Sequence, residues 1–579
     1  MNHPQQNTTA HFLIEGLNDL GIEYIFSNFG TDHAPIIEEL ARWDEQGRKH
    51  PKIILCPHEN VAIHMAAGFA AITGRGQAVV VHVDAGTANA AMGMHNMFRG
   101  RLPVMLMAGK APFTMRGELT GSRDNYVHFV QDPFDMASLV RPYTKWEYVL
   151  PHGVVTKEVL RRGHSMMQSD PKGPVYLTLP REVLAEKINI SSMHNFEEDR
   201  YGAVSSGGID DERAQAIASK LMSAKSPIAV TAYLGRNPEA VAALEELALL
   251  CGIQVFEFSP NYMNINRNSP CFGGFDVGKG VASADLGLLL DVDVPWLPKV
   301  VKVKSETRWL HIDVDTIKKD FPMWGFATDM RINADCASVL KQVANIIRKK
   351  ADAAFHQQVA TRIESFKVSS AQRKDNLHRA AQDAGKVNAI SSDYLLATIS
   401  KAIDQNDIVI NEAIRNAPQL LNHIERTLPL TLISSAGGGL GYSGGMALGV
   451  KLACPQSRVI QIVGDGSFHF STPTSVYAAS QQYQLPIFTV VLDNGGWQAV
   501  KEAVVRVYPD GAAVHANEFQ ARLQGQVRQF EKIGEAFGAY GECVSDPKEV
   551  AASIARCLKA VDAGKSAVLN VQIGQQEIQ

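Results

Sequence analysis

Gly464-Asp465-Gly466-Ser467 closes an apolar run over 459–463, and 26 positions on Asp493-Asn494 closes another over 487–492. Short apolar runs of this kind read as parallel strands buried on both faces. Between them Ser471-Thr472-Pro473 predicts a cap and a proline start for a helix over 474–483. The unit is therefore strand, loop, helix, strand, and both polar clusters lie at carboxyl ends of strands, where open α/β sheets bind ligands. Asp465 offers a carboxylate, Asn494 an amide oxygen, and the backbone nearby a carbonyl. Such an all-oxygen set suits a Mg²⁺ ion that also grips phosphates.

The same alternation of short apolar runs and helical stretches recurs along the chain and predicts an α/β protein of three consecutive doubly wound parallel-sheet domains. The first block spans 1–190, with strands at 24–26, 52–55, 78–83, 104–107 and 174–177. A polar stretch over 191–211 reads as a linker. The second block, 205–350, is a Rossmann-like unit with strands near 228–232, 253–258, 286–294 and 309–314. A charged helical segment over 348–383 leads to the third block, 385–579, with strands at 408–410, 459–463, 487–492 and 567–571.

Bulk properties exclude several classes. The 579 residues carry a net charge of −4, with 45% hydrophobic and 20% charged residues, so neither nucleic acid nor an anionic membrane is expected as a partner. No run reaches 18 apolar residues, which predicts no transmembrane span. The seven cysteines are scattered without a C-x-x-C pair and read as reduced. The first seven residues are polar and lack a signal-peptide pattern. These features together give a cytoplasmic expectation.

The Gly464–Ser467 and Asp493-Asn494 pair resembles the signature of thiamine diphosphate enzymes, and the three-block order resembles their pyruvate oxidase and acetolactate synthase branch. The resemblance implies thiamine diphosphate and Mg²⁺ as cofactors. The metal would be held by Asp465, Asn494 and the carbonyl of Gly496, with the backbone of Gly464, Asp465, Gly466 and Ser467 close to the diphosphate. It makes the first block the pyrimidine-binding (Pyr) domain and the third the diphosphate-binding (PP) domain. The first residue of the usual Asn pair is Asp493 here, and the spacing is slightly longer than in common relatives. Leu440, within Ala436-Gly437-Gly438-Gly439-Leu440-Gly441, matches the bulky residue beneath the cofactor. Residues 411–416 occupy the place of a diphosphate-contacting loop but match it poorly. Glu59, opening a helix over 60–73, matches the carboxyl group that shares a proton with the aminopyrimidine and so activates the cofactor; alone it would pass for a first-turn carboxylate favoured by the helix dipole. In the family this Glu meets the cofactor across a subunit interface, which implies a homodimer at minimum and a homotetramer as the expected assembly.

On the substrate side, His82 occupies the place of the catalytic histidine of benzoylformate decarboxylase, where it could relay a proton at neutral pH. The alternative is a strand-end histidine satisfied by backbone. His33, beside Thr31 and Asp32, is a second candidate lining the mouth. Lys110 could meet a substrate carboxylate or lie solvated, and Trp497 could form the pocket floor or pack in the core. The implied reaction is decarboxylation or C–C cleavage of a 2-oxo acid with carboligation, as in acetolactate synthase. The alternatives are a benzoylformate decarboxylase-like lyase, a flavin-dependent oxidase or a non-catalytic homologue. FAD is not favoured, because Asp291 and Asp293 stand where a flavin phosphate wants glycine or arginine, although Gly273, Gly274, Gly278 and Gly280 leave it open.

Overall fold

The computed structural model describes residues 6–523 and 528–574, the side chains of 198 and 199 excepted. The amino-terminal reading therefore falls mostly on residues outside the described ones.

Three six-stranded sheets follow one another. The first contains β1 (Tyr24–Asn28), β2 (Lys52–Leu55), β3 (Gln77–Val81), β4 (Val104–Lys110), β5 (Glu147–Val149) and β6 (Val175–Pro180). Their spatial order is β2-β1-β3-β4-β6-β5, all parallel. The second contains β7 (Pro227–Thr231), β8 (Gln254–Glu257), β9 (Phe272–Gly274), β10 (Leu286–Leu290), β11 (Arg308–Asp313) and β12 (Met330–Asn333), in the order β9-β8-β7-β10-β11-β12. That is the Rossmann arrangement. The third contains β13 (Ile408–Glu412), β14 (Leu432–Ser434), β15 (Val459–Gly464), β16 (Phe488–Asp493), β17 (Tyr540–Val544) and β18 (Ala567–Gln572). Its order, β14-β13-β15-β16-β18-β17, repeats that of the first sheet strand for strand.

The central strands are apolar because helices cover both faces: every residue of β3 and β16 is buried. Sequence periodicity finds these strands and passes over β5, β9, β12, β14 and β17, all of which lie at sheet edges. An edge strand needs less apolar surface, so its pattern is weaker.

The first and third blocks touch through two helices, Glu59–Thr73 and Ser443–Ala453. A Cβ on Gly68 would fall 2.1 Å from the carbonyl of Met446, and one on Gly449 would fall 2.0 Å from that of Met65. Backbone therefore lies on backbone, and only glycine permits it. Two local expectations change. Thr472 sits in the left-handed region at φ 50° and makes no side-chain cap, its hydroxyl donating instead to Ser471 O; the helix begins directly at Pro473. Residues Asp465–Phe470, expected as part of the loop after β15, form a short helix of their own.

Candidate active site

Asp465 follows β15 and is almost wholly buried. Its Oδ2 accepts from the N–H groups of Gly495 and Gly496, each at 2.8 Å, and its Oδ1 from Gly466 N at 2.8 Å. This ties the loop after β15 to the loop after β16. Burial pushes the carboxyl up to about 7; the three N–H bonds pull it down, and neighbouring Asp493 pushes it further up. Among the described residues no side-chain cation pairs with it. Asp493, which departs from the family's Asn, binds Arg528 Nε at 2.7 Å through Oδ1, while its buried Oδ2 has no hydrogen-bond partner among the described residues. Arg528 supplies from downstream the charge that this substitution demands, and no local motif foretells it.

Asn494 is half-buried beside Asp465's partners. Gly496 has φ 141°, and a Cβ there would fall 2.3 Å from Ala521 O. Among the described residues no three His, Cys, Asp or Glu side chains converge on a metal-sized point. Trp497 is half-buried, lies across Gly466 and meets the Phe470 ring edge-on at 6.4 Å.

Leu440 is half-buried in a loop held at both ends. Asn96 Nδ2 donates to Gly439 O at 3.1 Å, and Gly439 N donates back to Asn96 Oδ1 at 3.1 Å. On the far side Glu412, at the end of β13, accepts from Gly441 N at 2.5 Å and from Ser443 N at 3.0 Å. Burial raises the Glu412 carboxyl to about 7. Residues 411–416 match the diphosphate-contacting loop poorly in sequence, yet Glu412 fixes the chain on either side of Tyr442.

Glu59 is the first residue of its helix, at the carboxyl end of β2. It is 7% exposed, and its Oε2 accepts from Asn89 Nδ2 at 3.0 Å. The next residue, Asn60, donates to Gly441 O at 3.1 Å and so reaches the Leu440 loop of the same chain. No hydrogen bond or ion pair joins Glu59 to Asp465 among the described residues.

His82 caps the helix Val83–Gly100, whose Gly86 and Asn89 lie against Glu59, so the two candidates share one end of the first sheet. Its Nδ1 binds Asp32 Oδ1, and its Nε2 lies 2.8 Å from Gln131 Oε1. The Asp32 bond raises the imidazole above its usual range, burial works against it, and the Asp32 charge adds to the rise. His33 does not line the mouth. It is wholly buried, its Nδ1 accepts Gly30 N at 3.0 Å, and burial holds it neutral, with the opposing pull of Asp32 too weak to reverse this. Lys110 is paired with Asp132 at 3.2 Å, so its ammonium is already engaged. Asp32, Gln131, Asn89 and Glu412 carry no local signature; each is recruited from a different loop or helix.

At the strand-order reversal between β7 and β10, the middle sheet is filled by charges. Arg236 meets Asp291 at 2.7 Å, Arg101 meets Asp293 at 2.7 Å, and Lys318 meets Asp293 at 2.8 Å and Asp313 at 2.7 Å. Arg101 comes from the first block, so this network also locks the first and second blocks together.

Two sheets of identical strand order, one with Glu59 and His82 beyond its strands and the other with Asp465 and glycine turns, give the chain the architecture of a cofactor-dependent enzyme. The chain belongs to the thiamine pyrophosphate (thiamine diphosphate) enzymes: residues 7–139 match their N-terminal TPP binding domain and residues 417–571 their C-terminal TPP binding domain. It is 23% identical over 589 residues to the acetolactate synthase large subunit of Buchnera aphidicola subsp. Schizaphis graminum, covering 98% of this chain and 95% of that protein. It is 22% identical to the acetolactate synthase isozyme 3 large subunit of Escherichia coli, with the same coverage. Its fold is similar to that of a thiamine diphosphate-dependent 4-hydroxybenzoylformate decarboxylase from Rhodococcus jostii RHA1, with TM-score 0.78, 19% identity and coverage of 99% and 100%. The benzoylformate decarboxylase of Polynucleobacter necessarius gives 0.77 at 16% identity, covering 99% of each chain.

Proposed function

We propose that this chain is a thiamine diphosphate- and Mg²⁺-dependent enzyme that decarboxylates or cleaves a 2-oxo acid and passes the remaining carbonyl unit to a proton or to a second carbonyl, as the acetolactate synthases it resembles join two. Asp465 carries the reading: a buried carboxylate, drawn in by three N–H groups and given no side-chain cation among the described residues, is a site for an external one. Asp465, Asn494 and the Gly496 carbonyl would hold the metal, and the backbone of 464–467 the diphosphate. Bound there, thiamine diphosphate supplies an electron sink for the carbon that loses its carboxylate. Glu59 Oε2, oriented by Asn89, is the atom that would share a proton with the pyrimidine. Leu440, its loop pinned by Asn96 and Glu412, would press the cofactor from below.

Residues 1–190, 205–350 and 385–579 serve as the Pyr, Rossmann-like and PP units. The active form is at least a homodimer, with a homotetramer expected. Support comes from seven large apolar side chains between positions 113 and 134, each more than half exposed on one chain. We assign no flavin, since Asp291, Asp293 and Asp313 fill the middle crevice with ion pairs. The seven free cysteines support a reducing, cytoplasmic setting, and no described helix is long and apolar enough to cross a membrane.

Calorimetry with thiamine diphosphate and Mg²⁺, followed by CO₂ release across pyruvate, branched, aromatic and acidic 2-oxo acids, tests the proposal. Absence of binding heat refutes it. A second reading, a decarboxylase that releases aldehyde, is favoured by the pairing of His82 with Asp32.

A further inference from the structure

Asp32 sits on the turn Thr31–His33 beyond β1, wholly buried, with one oxygen toward each of two histidines. Oδ1 meets His82 Nδ1, and Oδ2 lies 3.3 Å from His33 Nε2. Two glycines make room for this. A Cβ on Gly30 would fall 2.0 Å from His82 Nδ1, and one on Gly109 would fall 1.4 Å from Asp32 Oδ2. No ordinary side chain fits at either position while the pair stays in place.

Hydrogen bonding fixes the protons. His33 Nδ1 accepts a backbone N–H, so neutral His33 carries its hydrogen on Nε2, facing Asp32. Asp32 is ionised: burial opposes this, and the two flanking histidines with the His82 bond outweigh it. An ionised Asp32 can only accept, so His82 Nδ1 bears a hydrogen. Nε2 faces the carbonyl oxygen of Gln131, another acceptor, so it bears one too. Asp84, on the helix that His82 caps, adds a second negative charge, while buried His33 stays neutral. Asp132, next to Gln131, is engaged by Lys110 and Arg123.

We infer that Asp32 is a positioning residue that keeps both nitrogens of His82 protonated, making Nε2–H the proton donor of the site and an aldehyde its product. The inference rests on the 2-oxo acid reading above. The bond to the carboxylate breaks, CO₂ leaves, and the electron pair left on carbon takes the proton from Nε2. Neutral His82, whose side chain is 23% exposed, then takes a proton from water. In sum, a 2-oxo acid anion and one proton give an aldehyde and CO₂. A site built this way protonates the carbon before a second carbonyl can capture it.

The test is ¹⁵N NMR of the imidazoles in the full-length protein, with His82 assigned by the signal lost in His82→Gln. The expected result is a doubly protonated His82 at pH 7, with a titration midpoint that falls by at least one pH unit in Asp32→Asn. Aldehyde should exceed ligated product in the unmutated enzyme, and the alkaline limb of its formation should move down in Asp32→Asn by the same interval. A midpoint at or below about 6.5 in the unmutated protein, or one unmoved in Asp32→Asn, overturns the role of Asp32, and the first needs no variant to fold. Ligated product in excess overturns the aldehyde assignment. If no 2-oxo acid releases CO₂, the functional reading falls with its product, while the NMR midpoint still decides the Asp32–His82 pair.

Discussion

Asp32 and Asp465 are both buried carboxylates just beyond strands of sheets with the same strand order, yet their acidities move in opposite directions. Asp32, flanked by two histidines, is held below its ordinary value. Asp465, given only N–H groups, rises to about 7. Burial costs both of them; what differs is whether the chain itself supplies the positive partner. The carboxylate of the first block has its positive partners in place. That of the third has none among the described residues, and the charge it lacks is what a metal would bring.

Removing the incomplete carboxylate should have the largest effect. Asp465→Ala is expected to abolish binding heat for thiamine diphosphate with Mg²⁺ and to cut kcat/KM by about a thousandfold or more, several kcal/mol of metal-dependent stabilisation. Retained binding would break the contrast with Asp32.

Acid should come next, through histidines that lack what His82 has. His64 and His164 are buried with no carboxylate partner among the described residues and are held down to about 4, burial being the leading cause for each. Below about 6.5 the unfolded chain takes protons that the folded one refuses, so stability falls as pH drops toward 4. Each group contributes about 1.4 kcal/mol per pH unit in that window, and urea midpoints across it would show the slope. His64→Asn should remove about half of it.

Gly109→Ala sharpens the comparison from the complete side. Its Cβ would strike Asp32 Oδ2, so a loss of about 1–3 kcal/mol is expected from overpacking, with the His82 imidazole titrating lower. Thermal melts and NMR check both effects.

The smallest change concerns the cation nearest the incomplete site. Arg528→Met leaves Asp493 without its partner. Since Arg528 is partly solvated, a loss of about 1 kcal/mol is expected in metal-free buffer. Mg²⁺ should restore part of it. No recovery with Mg²⁺ would show that the two aspartates do not share one electrostatic deficit.

How much of this was legible in the sequence follows from how local each signal is. β15 and β16 announce themselves because both faces are buried, and Asp465 and Asn494 stand at their ends. The edge strands β5, β9, β12, β14 and β17 escape because half of their surface needs no apolar side chain. Glu59 and His82 could be singled out by resemblance, but their settings could not. Asn89, Gln131 and Asp32 reach them from separate segments, and only the folded chain shows that His33 faces Asp32 rather than the mouth. Arg528, 35 positions beyond Asp493, has no pattern at all to mark it.

The contact of Gly68 with Met446 and of Gly449 with Met65 carries a practical consequence. Where peptide rests on peptide, no side chain is left to absorb a misfit, so the outer modules cannot be exchanged one at a time between distant cousins. A chimera that imports either helix must import its counterpart as well, or accept a hinge where the parent has a weld.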